Sequence, residues 1–232
     1  MLPGDFQLRR PSRKTLLVLS VLGVGGLAGL VATIAITGFF LSAWLGLPLA
    51  VYGQSEGPDQ PIAFPHTVHV QQIGLDCTFC HRNVTVGAAA TIPAVGLCMT
   101  CHKTVGDDKP EVDKLRATFD ADRAIDWVRV HRVPDHVQFV HEAHIRFFSG
   151  TKTVVDTVGG PGEIGLTEAR IIKPGASVGD SLDVAAAGTC SICHGDVGAM
   201  TRVKQVRALK MGDCVDCHKQ NSAPTDCTTC HY

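Results

Sequence analysis

Charge disappears from the chain at Thr15 and does not return until Glu56. The core of this run, Leu16 to Leu47, reads LLVLSVLGVGGLAGLVATIAITGFFLSAWLGL. A bilayer-spanning helix needs about 20 apolar residues, so the pattern predicts one transmembrane anchor over residues 15–49. Arg9, Arg10, Arg13 and Lys14 precede it in a basic tail, residues 1–14. The positive-inside bias keeps that tail in the cytoplasm and places everything after residue 50 on the periplasmic side of a bacterial cytoplasmic membrane. A cleaved signal peptide would have an apolar stretch of about 7–15 residues ending in a small-x-small site. This run is longer, and Leu47-Pro48-Leu49-Ala50 is a poor site. Gly23, Gly25, Gly26 and Gly29 read either as ordinary membrane-helix composition or as close packing against another membrane helix.

Beyond a linker at 50–62 no long apolar period returns. Two short apolar-and-histidine stretches stand out instead. Phe64-Pro65-His66-Thr67-Val68-His69-Val70 matches Phe139-Val140-His141-Glu142-Ala143-His144-Ile145 at an offset of 75 residues. Residues three apart on a helical turn share a face but point in somewhat different directions, so each pair can reach two different centres.

Cysteine supplies the chemistry. All ten cysteines fall into five Cys-x-x-Cys pairs: Cys77/Cys80, Cys98/Cys101, Cys190/Cys193, Cys214/Cys217 and Cys227/Cys230. A histidine follows each pair at once: His81, His102, His194, His218 and His231. At this histidine content, five out of five by chance is on the order of a one-in-a-million event. Zinc sites need no histidine beside each second cysteine, and a redox dithiol usually stands alone in a βαβ unit. Cys-x-x-Cys-His is the attachment signature of c-type haem: two thioethers hold the vinyl groups, and the adjacent histidine reaches the iron. The expectation is five covalently attached haem c groups, on the oxidising side of the membrane where paired thiols are tolerated.

Each histidine pair precedes two such motifs, which reads as a duplicated two-haem unit. Residues 63–145 hold the first unit and a distal-histidine segment. Residues 189–232 hold the second unit and a fifth motif. His66, His69, His141 and His144 are the expected second axial ligands. A fifth has to come from His131, His136, Met200 or Met211; Met99, inside a motif, is expected to pack. From His66 to Cys77 is 11 residues, whereas from His141 to Cys190 is 49. Residues 146–188 are therefore an insertion, rich in turn signals such as Gly159-Gly160-Pro161-Gly162. It is either a surface insertion with no role or a docking arm for a partner.

About 180 residues around five haems cannot build an ordinary layered core. The expected fold is mainly α with much irregular chain: one N-terminal transmembrane helix, then a multihaem cytochrome c domain with haems as the core and little or no sheet. An aromatic content of 6% fits, because porphyrins supply the large flat groups. The formal net charge of -1 gives no basic surface for nucleic acid.

The arrangement resembles the class III multihaem cytochromes. It is similar to the membrane-anchored pentahaem cytochrome c subunits of alternative complex III. The likeness rests on the anchor, Pro61-Ile62-Ala63-Phe64-Pro65-His66, Trp127-Val128-Arg129-Val130-His131-Arg132-Val133-Pro134-Asp135, His141-x-x-His144, Cys193-His194-Gly195 and Met211-Gly212-x-Cys214. The resemblance implies that His131, rather than His136, completes the ligand set. It also implies an electron-transfer subunit, not itself an enzyme, in a quinol-oxidising respiratory or photosynthetic complex. Its partners would be an iron–sulfur subunit, quinol-binding membrane subunits, a monohaem cytochrome and a soluble periplasmic acceptor. The rivals are a stand-alone anchored quinol dehydrogenase and a multihaem reductase with one open haem. The 146–188 insertion departs from the family pattern.

Overall fold

A computed structural model describes residues 11–45, 57–207 and 209–232. Arg9 and Arg10, the end of the predicted anchor beyond Leu45 and residues 50–56 of the linker lie outside the described residues. The chain divides into two compact units, residues 1–55 and 56–232.

The first unit is the helix α1, Arg13–Leu45. Ser12 starts it: its hydroxyl accepts from the Thr15 backbone N–H at 3.1 Å, which satisfies one of the free amides of the first turn. At 1.5 Å per residue the helix is about 50 Å long, more than a ~30 Å hydrocarbon core requires. Leucine, valine, isoleucine and phenylalanine are exposed all round it from Leu16 to Leu41. A helix apolar on every face is stable only where something apolar covers it, and this one is long and apolar enough to cross a membrane.

The second unit is short helices joined by irregular chain, with little sheet, as the sequence predicts. A π-helical turn, Thr67–Gln72, follows His66. Then come α2 (Cys77–Cys80), α3 (Val95–His102), α4 (Pro110–Asp120) and α5 (His141–Phe148). Pro110 and the acidic Glu111 and Asp113 set the start of α4. Arg116 on α4 ties it to α3. Its Nε donates to the His102 carbonyl at 2.8 Å, and its Nη2 sits 2.6 Å from Asp107. Ile62, Met99 and Leu115 bury themselves between these pieces, with Trp127 against them. Met99 packs, as its place inside a motif predicts.

The insertion is not featureless. It folds into β1 (Gly150–Val155), β2 (Glu163–Gly165), the helix α6 (Leu166–Ile172) and β3 (Ser181–Val184). β1 is central, parallel to β2 and antiparallel to β3. Val154 and Ile164 are fully buried and pack with Phe148, Ala169, Leu182 and Val184. This is the larger apolar core of the unit, and Ile192 and Cys193 of the third cysteine motif pack into it. The helices α7 (Cys190–His194), α8 (Met211–Gln220) and α9 (Cys227–Cys230) complete the unit. Gly195 ends α7 at φ +68°, and a Cβ there would lie 3.2 Å from Val206. Both conditions favour glycine.

Candidate functional site

Every Cys-x-x-Cys pair lies on a helical turn, in α2, α3, α7, α8 or α9. A three-residue step on such a turn places both sulfurs on one face. Asp76 caps α2, accepting from the Thr78 N–H at 2.8 Å. None of the ten cysteines is in a disulfide.

The ten do not share one setting. Cys77, Cys80, Cys98, Cys190, Cys193, Cys214, Cys217 and Cys230 are half-buried, whereas Cys101 and Cys227 are exposed. For Cys101 helix geometry gives the reason. Met99 is the buried position of α3, and Cys98 packs beside it against Ile62 and Leu115. At about 100° per residue, Cys101 stands roughly 200° round the helix from Met99 and faces outward. Cys101 still lies one turn after Cys98, so the second motif keeps both sulfurs in reach of one group, one sheltered and one at the surface. Burial pushes the thiols of Cys80, Cys98, Cys193, Cys214 and Cys217 up. Among the described residues no three or more His, Cys, Asp or Glu side chains converge as a bare-metal site, so the donors form pairs rather than zinc-like clusters.

The histidines follow a consistent rule at their Nδ1 atoms. The Nδ1 of His81 lies 2.6 Å from the Thr91 carbonyl, that of His102 3.1 Å from Val105 O, and that of His231 3.3 Å from His136 O. His218 Nδ1 meets the Pro224 carbonyl. The same holds for the repeated pairs: His69 with Pro65 O at 3.1 Å, His141 with Ala88 O at 2.6 Å, His144 with Val140 O at 2.8 Å. An Nδ1–H donating to a carbonyl fixes the tautomer and leaves the Nε2 lone pair free for a metal. His66 departs from the rule, with its Nδ1 buried and unpartnered. His194 departs differently: its Nδ1 lies 3.2 Å from the Nε2 of His131.

The two Phe-x-His-x-x-His stretches have one geometry. Phe64 stacks on His69 at 4.2 Å and meets His66 edge-on at 5.0 Å. Phe139 stacks on His144 at 4.5 Å and meets His141 edge-on at 4.9 Å. The phenylalanine fixes the ring directions of both histidines in each copy.

The structure brings these histidines to the motif histidines. Ring centroids of His69 and His102 are 6.0 Å apart, and those of His144 and His218 are also 6.0 Å apart. His141 and His194 are 6.4 Å apart with ring planes 8° from parallel. Two imidazoles bound on opposite sides of one metal, at about 2.0–2.1 Å each, put their centroids roughly 6 Å apart. His66 lies close enough to His81 for their charges to repel. His131 sits on His194 at 4.4 Å, and His136 stacks beside His231 at 5.5 Å. The sequence reading leaves His136 aside. Its signal is a tertiary neighbour, which spacing along the chain does not carry.

Burial, then the neighbouring His81 and His69, holds His66 down to about 4. Burial, then His131 and His141, does the same for His194. Burial first also lowers His131 and His144. These imidazoles are neutral at pH 7, the form that ligates a metal. Met211, one of the candidate axial residues, is 69% exposed.

The motifs are also neighbours in a series. Cys98 is close to Cys80, Cys77 shares a hydrogen bond with Cys190, Cys193 is close to Cys214 and Cys217, and Cys214 is close to Cys230. Cys214, His218, Pro224 and Cys230 line one pocket. Arg207 braces the third motif, its Nη1 donating to the Ile192 carbonyl at 3.2 Å.

Paired sulfurs on one face, a free Nε2 beside each pair and a second imidazole about 6 Å away fit haem c. No family model matches the chain. A multiheme cytochrome c subunit of menaquinone reductase from Nitratidesulfovibrio vulgaris is 34% identical over 102 residues, 44% of this chain and 47% of that protein. The chain thus spans about half the length of this relative.

Proposed function

We propose that this chain is an electron-transfer multihaem cytochrome c, a non-catalytic subunit of a membrane quinone oxidoreductase. The observation that carries the reading is the pairing of motif histidines with the repeated histidines at about 6 Å. Five haem c groups would be held by the cysteines of the five motifs, the exposed Cys101 and Cys227 included. His81, His102, His194, His218 and His231 would be the proximal ligands. His66, His69, His141 and His144 would serve opposite the first four motifs, and the segment bearing His131 and His136 would supply the remaining ligand. When bound, haem supplies reversible one-electron chemistry, and two imidazoles per iron leave no position for substrate. The protein's part is to orient each imidazole through its Nδ1 contact and to exclude water around it.

The basic residues before α1 support an N-terminus in the cytoplasm and motifs on the periplasmic side. The partners are the other subunits of the complex: on the alternative complex III likeness, an iron–sulfur subunit, quinol-binding membrane subunits and a monohaem cytochrome. That likeness runs electrons away from quinol toward a periplasmic acceptor. The relative named for a menaquinone reductase favours a second reading, with electrons entering the membrane pool.

The test starts with expression in a host that matures c-type cytochromes. Intact mass should rise by five haems, and the reduced protein should bind carbon monoxide only in trace amounts. Absence of covalent haem, or a stoichiometric carbon monoxide adduct, sinks the reading. A menaquinol analogue should reduce the intact complex but not the isolated subunit. Faster reduction of menaquinone by the complex than oxidation of menaquinol would select the second direction.

A further inference from the structure

His194 has two histidine neighbours. His141 lies parallel to it at 6.4 Å, the spacing found for His69 with His102 and His144 with His218. His131 meets His194 at Nδ1: its Nε2 is 3.2 Å from that atom, with the rings edge-on at 88°. At His81, His102, His218 and His231 that same Nδ1 position is taken by a backbone carbonyl. His131 therefore stands where those carbonyls stand. As an acceptor for the His194 Nδ1–H it would fix the tautomer that frees Nε2.

That leaves His231 to be served by another residue, and His136 is beside it. The two rings stack at 5.5 Å, 18° from parallel. Backbone contacts hold the two segments together. Val137 bridges His231, the Gln138 N–H donates to the Cys230 carbonyl at 2.7 Å, and the Tyr232 N–H donates to the His136 carbonyl at 3.4 Å. The contact is thus clamped on both sides of the ring pair.

We propose that His136 is the distal ligand at the Cys227–Cys230–His231 motif and that His131 is a positioning residue behind His194. This rests on the reading that the five motifs hold haem c. It divides all eleven histidines into five proximal ligands, five distal ligands and one tautomer-setting acceptor.

The experiment is EPR and carbon monoxide titration of purified holocytochrome, for wild type, His136→Ala and His131→Gln. Covalent haem content is measured first; a wild type without haem defeats the functional reading itself, separately from this assignment. In His136→Ala one haem in five should turn high-spin and bind carbon monoxide, and added imidazole should restore the low-spin signal. In His131→Gln all five should stay low-spin, with a shifted potential for one. If His136→Ala matures poorly, His136→Met keeps a ligand and should raise one potential. The proposal is overturned if His131→Gln creates the high-spin haem, if neither variant does, or if imidazole fails to rescue His136→Ala.

Discussion

The Nδ1 contact is the smallest device in this molecule, and it recurs at seven histidines with carbonyl acceptors. Its effect is to decide which nitrogen is left to bind. On the proposed reading His144, tied to Val140 and 6.0 Å from His218, would supply an imidazole nitrogen to the fourth motif. Replacing it with a thioether, His144→Met, should raise the potential of one haem by on the order of 100 mV, inside the roughly 0.8 V range that axial ligands command. A redox titration in which all five potentials stay where they were would remove His144 from the ligand set. On the proposed reading, most of this level would be readable in the sequence. Cysteine and proximal histidine must be adjacent for covalent reasons, and the repeated pairs sit three residues apart because one turn aims them at two centres. The acceptors were not readable, since backbone carbonyls at Thr91, Val105 and Pro224 have no side-chain signature. Nor was the outward face of Cys101, which depends on which side of α3 meets Ile62 and Leu115. The contrast between His131 and His136 was hidden too, because it depends on where a long irregular segment comes to rest.

At the scale of elements, the insertion hid its structure behind one residue. In β1 the core-facing positions are Lys152 and Val154. A lysine there breaks the apolar alternation that announces a strand. Its stem is buried, and its ammonium donates to the Pro161 carbonyl, which satisfies a charge that burial would otherwise penalise. β2 is three residues long, too short to announce itself. The small sheet nonetheless carries the larger apolar core. Ile164→Ala should cost about 2–5 kcal/mol, the usual range for a buried isoleucine cut to alanine. Denaturant unfolding followed by circular dichroism would measure it; a loss under ~1 kcal/mol would show that the sheet does not brace the unit. The anchor α1 is the opposite case, fully legible because its period-free apolar run has one physical solution. Replacing residues 1–50 with a cleavable export signal should release the protein from membranes with its haem complement intact, scored by fractionation and haem staining. Membrane retention of the truncated chain would place the attachment elsewhere.

For the whole molecule, the informative feature is the order in which the motifs neighbour one another. Cysteines near enough to influence one another run from Cys98 through Cys80 and Cys77 to Cys190, then through Cys193 to Cys214, and on to Cys230. Chain order would begin with the first motif; spatial order makes the second and fifth the ends. The difference has an electrostatic consequence. Two unit charges about 10 Å apart interact by roughly 1.7 kcal/mol at an effective dielectric near 20. For a one-electron couple, 59 mV corresponds to a tenfold change in equilibrium, so neighbouring centres shift one another by several tens of mV. Distant centres are screened by salt over a Debye length of about 8–10 Å. Removing the fifth group with Cys227→Ala and Cys230→Ala should therefore move the potential of the fourth motif's haem by tens of mV and leave that of the second nearly unchanged. His144→Met marks the fourth haem in the titration, and the equivalent change at His69 marks the second. A shift at the second that matches or exceeds the shift at the fourth would break the linear order, since no screened interaction can skip three intervening sites.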